Sequence, residues 1–407
     1  MDHAYEIGMT ETILQSNPDV LIDHERVEQG DLRTEEMLVN MGPQHPSTHG
    51  VLRLVLRTDG EMVLDTVPHI GYLHRCAEKI GESLPPYQYI PYTDRMDYLA
   101  AMNDNQAFAV AIERLCGLEV PPRAQIIRVI VAELNRIASH LVALGTYGLD
   151  MGAFTPFLYC FREREMILDL FEAVCGARLT YSYITVGGVR EDLPDGWVDR
   201  CREYLDYFEP KISDYNNLLS FNHIFVKRTA NIGVISPDDA IAYGLTGPML
   251  RGSGVRFDLR KVAPYDGYEA YEFDVPIARP GGVDEIPANV VVGDSWSRYY
   301  VRVLEMIQSV RIIRQALDRL EDGELLAKKL KGLKLPDDEV YVEVENPRGQ
   351  LGFYVKGDGS AIPSRVKARG PSFCNLCITQ HVCRDVLLAD VPAIVGSMDV
   401  VMGEVDR

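Results

Sequence analysis

Between Pro121-Pro122 and Gly145, residues Ile126, Ile127, Ile130, Leu134, Ile137, Leu141 and Leu144 recur at three- and four-residue spacing. Apolar residues so spaced share one side of an α-helix, and a stripe this wide has to be covered by other regular structure. Prolines before it and a glycine after it are helix start and stop signals, so the spacing predicts a helix over 124–145. Residues 97–116, 155–175, 197–219 and 298–320 carry the same periodicity, and Gly176 follows the 155–175 stretch as a C-terminal stop. Several long amphipathic helices in one chain can bury their stripes against one another, which makes the centre of the chain a helical bundle.

The ends of the chain read differently. Val51-Leu-Arg-Leu-Val-Leu-Arg57 and Met62-Val-Leu-Asp-Thr-Val67 flank Asp59-Gly60, the pattern of two strands joined by a tight turn. Strand-like alternation returns from Val340 to Val355 and over 364–369. The expected fold class is α+β, mainly α. A polar, acidic arm covers 1–36 and a β-rich region 37–70. The central bundle spans 71–325, with a Gly-, Pro- and Tyr-rich irregular excursion at 227–295. A C-terminal β region and tail occupy 326–407, entered through a charged connector between Lys328 and Asp338.

Charge narrows the function classes. The formal net charge of -19 is the wrong sign for a nucleic-acid binder, whose Lys and Arg must neutralise phosphates, or for docking unaided on an anionic lipid surface. No basic region followed by an apolar run and a cleavage site is visible, and no run approaches the ~20 apolar residues of a membrane helix. Work at a membrane would therefore require another subunit to hold the chain there. Among the eight cysteines only Cys374, Cys377 and Cys383 cluster, as C-x2-C-x5-C, with His381 the nearest fourth ligand. That spacing fits no standard four-ligand zinc site, and the reading is reduced, fortuitous thiols with no bound metal.

Three segments concentrate polar chemistry. Gly42-Pro-Gln-His-Pro-Ser-Thr-His-Gly50 is too rich in Pro and Gly for a helix or a central strand, so it is a stiff loop carrying His45 and His49. Its hydroxyls suit turn capping, and in a Pro-broken loop its two imidazoles need not converge on a metal. Asp150 is the only carboxylate between Ile137 and Phe161, in a segment punctuated by Gly145, Gly148, Gly152 and Pro156. It is either exposed at a turn or buried with a partner, and buried it becomes a candidate functional acid. Asp94-Arg-Met-Asp-Tyr98 precedes a helix, where Asp94 suits the N-terminal dipole and Tyr98 reads as a half-buried aromatic.

In order along the chain stand GPQHPSTHG, PHIGYLHR, YTDRMDY, PPRAQIIRVI, LDMGAFTPF, GGVREDLP, LRGSG and a terminal MGEVDR. Together they resemble the family of 49-kilodalton-type subunits of respiratory complex I, the NADH:quinone oxidoreductase, closely over about 37–320 and more loosely over 338–407. That family shares its fold with [NiFe]-hydrogenase large subunits, whose nickel needs two C-x2-C pairs of soft thiolates. The matching positions here are Asp97 and Ala100, then Val401 and Glu404, so the resemblance implies a metal-free hollow, with the C-terminal tail returning to it. In the family a quinone headgroup takes that place. Tyr98 and His49 are then implied to face its two oxygens, and Asp150 to partner His49. Two-electron reduction of a quinone also takes two protons, for which a phenol and an imidazole are suitable donors.

The resemblance further implies that this chain binds no cofactor itself. Electrons would come from an iron–sulfur cluster in a neighbouring subunit, near Arg75 and Arg95, whose bland alternative is ion pairing with Glu78 or Asp94. Implied partners are that cluster-bearing subunit, a 30-kilodalton-type subunit and a membrane-arm subunit at the quinone entrance. The place is the cytoplasmic face of a bacterial inner membrane, peripherally held. Competing readings are a membrane-bound hydrogenase-related large subunit, which the missing thiolates oppose, and a non-catalytic scaffold.

Departures from the family pattern are Cys76 where HRG would place glycine, the short connector at 323–336, and Thr180 where many relatives carry a histidine near the cluster. The cluster's reduction potential is therefore expected to vary less with pH than in histidine-bearing relatives. A redox titration finding a steep pH slope that survives substitution of Thr180 refutes this.

Overall fold

The computed structural model describes residues 36–48, 50–279, 287, 290–328, 330 and 332–407. Apart from Glu36, the arm expected over 1–36 lies outside the described residues, as does His49. The chain is α+β and mainly α. Its longest element is the Pro122–Asp150 helix, which packs along Phe154–Cys175 on one side and Ser295–Asp318 on another. Ile127, Ile130, Leu134, Ile137, Leu141 and Leu144 are all buried, each worth roughly 1.5–3 kcal/mol of transfer free energy.

This helix runs five residues past the expected stop at Gly145. The glycines at 145 and 148 are contact points inside the helix. A Cβ on Gly145 would lie 3.3 Å from Phe157 Cα, and one on Gly148 would lie 3.2 Å from Leu219. Lacking side chains, they let neighbouring chain approach closely, and Asp150 becomes the last residue of the helix. The expected helix over 197–219 is divided, because Pro210 offers no N–H and crowds the preceding turn. Trp197–Phe208 is followed by Lys211–Tyr215 and a π-helical turn over Asn216–Ser220.

At the N-terminal end, β1 (Glu36–Met41), β2 (Arg53–Asp59) and β3 (Met62–His69) form an antiparallel meander, with Val386–Leu387 added at the edge of β3. The turn between β2 and β3 is the Asp59-Gly60 turn of the sequence. Leu54 and Leu56 point inward with Leu52 and Val63, onto a second apolar cluster that includes Val391, Ile394 and Met398. A second sheet, Glu339–Asn346, Gly349–Lys356 and Arg365–Arg369, covers the Ala101–Cys116 helix, with Phe353 set edge-on to Phe108 at 5.4 Å.

Residues 223–270 carry short helices, and they bring charge into the interior. Arg251 pairs with Glu305 and Glu345, and Arg260 pairs with Asp258 and Glu133, all of them buried. Among the described residues, no helix is long and apolar enough to cross a membrane.

Candidate active site

The C-terminal segment gathers the site. The Val391–Met398 helix supports the Pro46–Thr48 turn, which leads into position 49. On the same helix, a Cβ at Gly396 would meet Tyr147 at 2.7 Å and the Asp150 carboxylate at 3.1 Å. Only glycine at 396 lets the long helix bring its terminal acid this close. Farther on, Met402 lies against Gly50, and Gly403 faces the Tyr98 ring, whose edge would stand 3.4 Å from an added Cβ. Tyr98, Asp150 and the loop bearing position 49 thus share one backbone neighbour, residues 391–407, although they are far apart in sequence. Asp150 is half-buried, which lies between the two readings its sequence allowed. His49 itself is outside the described residues.

Tyr98 is half-buried in the turn before the Ala101–Cys116 helix. Burial raises its phenol above the ordinary value, while Arg348 opposes that rise and Asp97 adds to it. The helix expected over 97–116 begins only at Ala101, and the reason is visible. Asp97 Oδ2 accepts from Arg348 at 2.7 Å, and the Asp97 amide donates to Asp104 at 2.7 Å, so this turn is tied down from outside. Asp94 closes the Pro86–Thr93 helix at its C-terminal side, where its carboxylate takes the amide and hydroxyl of Ser182. The N-terminal dipole role expected of it does not apply.

Behind Tyr98 lies a dense set of buried charges. Arg348 donates from Nη1 to Asp97 and to Ser139 Oγ at 3.0 Å, and from Nη2 to Asp399 at 3.2 Å. Arg302 stands 3.6 Å from the other Asp399 oxygen. Deeper still, His140 meets Glu305 at 2.8 Å, and burial lowers the affinity of this imidazole for a proton. Asp97, Asp104 and Glu404 bring carboxylate oxygens within 4.8 Å of one another, a grouping of three potential metal-ligand types among the described residues. With the Arg348 guanidinium bonded to Asp97, the group already has a buried cation of its own beside it. Asp97 and Glu404 are two of the positions that the family resemblance sets opposite hydrogenase thiolates. Asp104 and Arg348 escape the sequence reading. A signal for Asp104 exists: Asn103-Asp-Asn-Gln106 is four polar residues in a row, more than one exposed helix face can hold, and all are buried.

Arg75 and Arg95 lie side by side at the surface, Arg75 donating to the Arg95 carbonyl at 2.7 Å and to the Gly403 carbonyl at 3.3 Å. Glu78, the alternative ion-pair partner for Arg75, is taken by Lys367 and Arg407. The tail is anchored here too, as the Asp406 carboxylate accepts from the amides of Gly71 at 2.8 Å and Leu73 at 2.7 Å. Cys76 has φ +59°, a left-handed conformation suited to the glycine of the family pattern and costing an L-residue roughly 1–2 kcal/mol. Thr180 and Ser182 also have positive φ, at +53° and +47°, in the segment held by Asp94. Of the clustered cysteines, Cys377 is exposed, Cys374 half-buried and Cys383 buried. Burial pushes the Cys383 thiol up to about 12.

Residues 150–331 and 325–407 match the family described as the 49 Kd subunit of the respiratory-chain NADH dehydrogenase. The chain is 51% identical over 391 residues to an NADH-quinone oxidoreductase subunit of Cytophaga hutchinsonii, covering 93% of this chain and 97% of that one. With the corresponding NADH-quinone oxidoreductase subunit of Chlorobaculum tepidum it shares 50% identity over 407 residues, 99% and 100% of the two chains. With that of Desulforamulus reducens it shares 51% over 375 residues, covering 92% of this chain and 99% of the relative.

Proposed function

The chain belongs to the family of the 49-kilodalton subunit of respiratory-chain NADH dehydrogenase, a subunit of an oxidoreductase complex, and on that premise we propose that it forms the quinone-reduction site of a proton-pumping NADH:quinone oxidoreductase. The observation carrying this reading is that one segment, 391–407, touches the Tyr98 ring, the Asp150 carboxylate and the loop that leads into His49.

The chemistry needs two electrons and two protons for each quinone. A one-electron iron–sulfur carrier in a partner subunit supplies the electrons, beside the surface arginines Arg75 and Arg95. The Tyr98 hydroxyl gives one proton and the His49 imidazolium the other, each to one quinone oxygen. Asp150 holds the imidazole's tautomer and favours its charged form, and loses its counter-charge when the proton leaves. That change of charge is the trigger for coupling to proton translocation in a membrane arm. The remaining partners are a 30-kilodalton-type subunit and a membrane-arm subunit, which hold the chain peripherally on the cytoplasmic face of a bacterial inner membrane. The four positions matching hydrogenase thiolates carry Asp97, Ala100, Val401 and Glu404, which favours this reading over nickel chemistry.

Asp150→Asn tests it in the assembled complex. The substitution keeps the shape and removes the charge, so quinone reduction is expected to fall by about ten-fold or more, with the proton-to-electron ratio falling as well. Wild-type turnover in a fully assembled variant would remove Asp150 from the mechanism.

A further inference from the structure

The buried charges behind Tyr98 do not balance. Asp97, Asp104, Asp399 and Glu404 face two arginines, Arg348 and Arg302, all of them buried. Ionised carboxylates in such a place need partners, and groups this close cannot all be charged. Asp399 accepts from Arg348 on one oxygen, and its other oxygen, although it takes no hydrogen bond, has the Arg302 guanidinium 3.6 Å away, so the excess lies with the other three acids. Asp97 accepts from Leu99 N on one oxygen and from Arg348 on the other. Asp104 accepts from Asn346 on one and from Asp97 N on the other. Glu404 accepts from Ser372 N at 2.9 Å on Oε2, but its Oε1 is buried with no hydrogen-bond partner. Of the six oxygens in this trio, that one alone receives no donor. Ionising a carboxylate whose oxygen is bare and buried near two other acids is costly, and a proton removes that charge.

We propose that Glu404 carries a proton in the resting protein and, with Asp97 and Asp104, forms an internal proton-binding site behind Tyr98 that restores the phenol after Tyr98 has donated to the quinone. The step balances. The Tyr98 O–H breaks as its proton passes to a quinone oxygen, reduced by electrons from the partner's iron–sulfur carrier. The Glu404 proton re-forms the O–H, and Glu404 is left as a carboxylate facing Arg348. Solvent then reloads it. The inference rests on the reading of Tyr98 as a proton donor and deepens it.

The groups facing Glu404 are Asp97 from the turn before the 101–116 helix, Asp104 from that helix, Arg348 from the 346–349 turn and Cys374 from the Pro371–Leu376 helix. Burial first, then the Asp97 charge, pushes the Glu404 carboxyl up to about 8, against the pull of Ser372 and Arg348. Burial and the Asp97 and Glu404 charges likewise hold Asp104 well above the usual carboxylate range, so the proton belongs to the pair. A divalent cation fits less well, because five of the six oxygens already accept N–H bonds.

Two measurements on the assembled complex test this. In infrared difference spectra between neutral and alkaline pH, a protonated-carboxyl C=O band is expected that disappears in Glu404→Gln. Quinone reduction should fall about ten-fold from one pH unit below the Glu404 pKa to one unit above it. Glu404→Gln should abolish that limb, while Glu404→Asp should keep a displaced one and serves if the glutamine variant fails to assemble. An infrared band and pH limb unchanged in the variants would overturn the proposal, as would a stoichiometric divalent cation lost on substitution. If Tyr98→Phe left turnover intact while the band persisted, the quinone reading and the restoring role would fall together, and only a protonated Glu404 would stand.

Discussion

Tyr98→Phe is expected to lower quinone reduction by the assembled complex about a hundred-fold or more, the usual worth of a positioned proton donor. Phenylalanine keeps the ring that faces Gly403, so the fold around it loses only a hydroxyl. That hydroxyl is the part that counts. The buried surroundings keep the phenol protonated, since burial raises it above its ordinary value and Arg348 only partly offsets this, so an O–H is present to donate. Steady-state turnover with a soluble quinone, normalised to complex content, measures the effect. Wild-type turnover would leave the chain a scaffold that keeps the fold and performs no quinone chemistry.

Arg348→Ala should have the largest effect on stability, a loss of about 3–5 kcal/mol, because removing one partner of a buried pair strands the other. Here two acids are stranded, Asp97 and Asp399, together with the Ser139 hydroxyl and the Asp399 carbonyl that the guanidinium also serves. Lysine is no conservative replacement, since a single ammonium cannot reproduce a planar fork reaching acids on two sides. The measurement is the midpoint of heat-induced loss of this subunit from the purified complex, or failure to assemble. A midpoint within a degree or so of wild type would mean that the acids protonate at little cost when the arginine is gone. Both results bear on function, because Asp97 and Asp399 flank the turn and the tail that hold Tyr98.

Much of the architecture is legible along the chain. The stripes of 124–145 and 155–175 are long helices packed side by side, and the Asp-Gly turn is the junction of β2 and β3. Sequence and structure part where a residue type has two uses. Gly145 reads as a helix stop because glycine is poor helix material, yet its missing side chain is what admits Phe157. Asp94 reads as a helix-start residue because it precedes a helix, yet its carboxylate serves Ser182. Asp97 falls inside the periodic stretch of 97–116, yet Arg348 holds it in the turn before the helix.

Sequence alone determined what depends on near neighbours: helical periodicity, the tight turn, the stiff Pro-broken loop, and motifs whose order marks the family. The pairing of charges was decided only by the tertiary structure. Arg348 finds Asp97 at a separation of 251 residues, and His140 finds Glu305 at 165. A charged side chain in sequence looks the same whether water or another ion will neutralise it, because its partner is chosen by packing. Folding removes the water, and it is this removal that turns Asp97, Asp104 and Glu404 from ordinary acids into groups that compete for a proton.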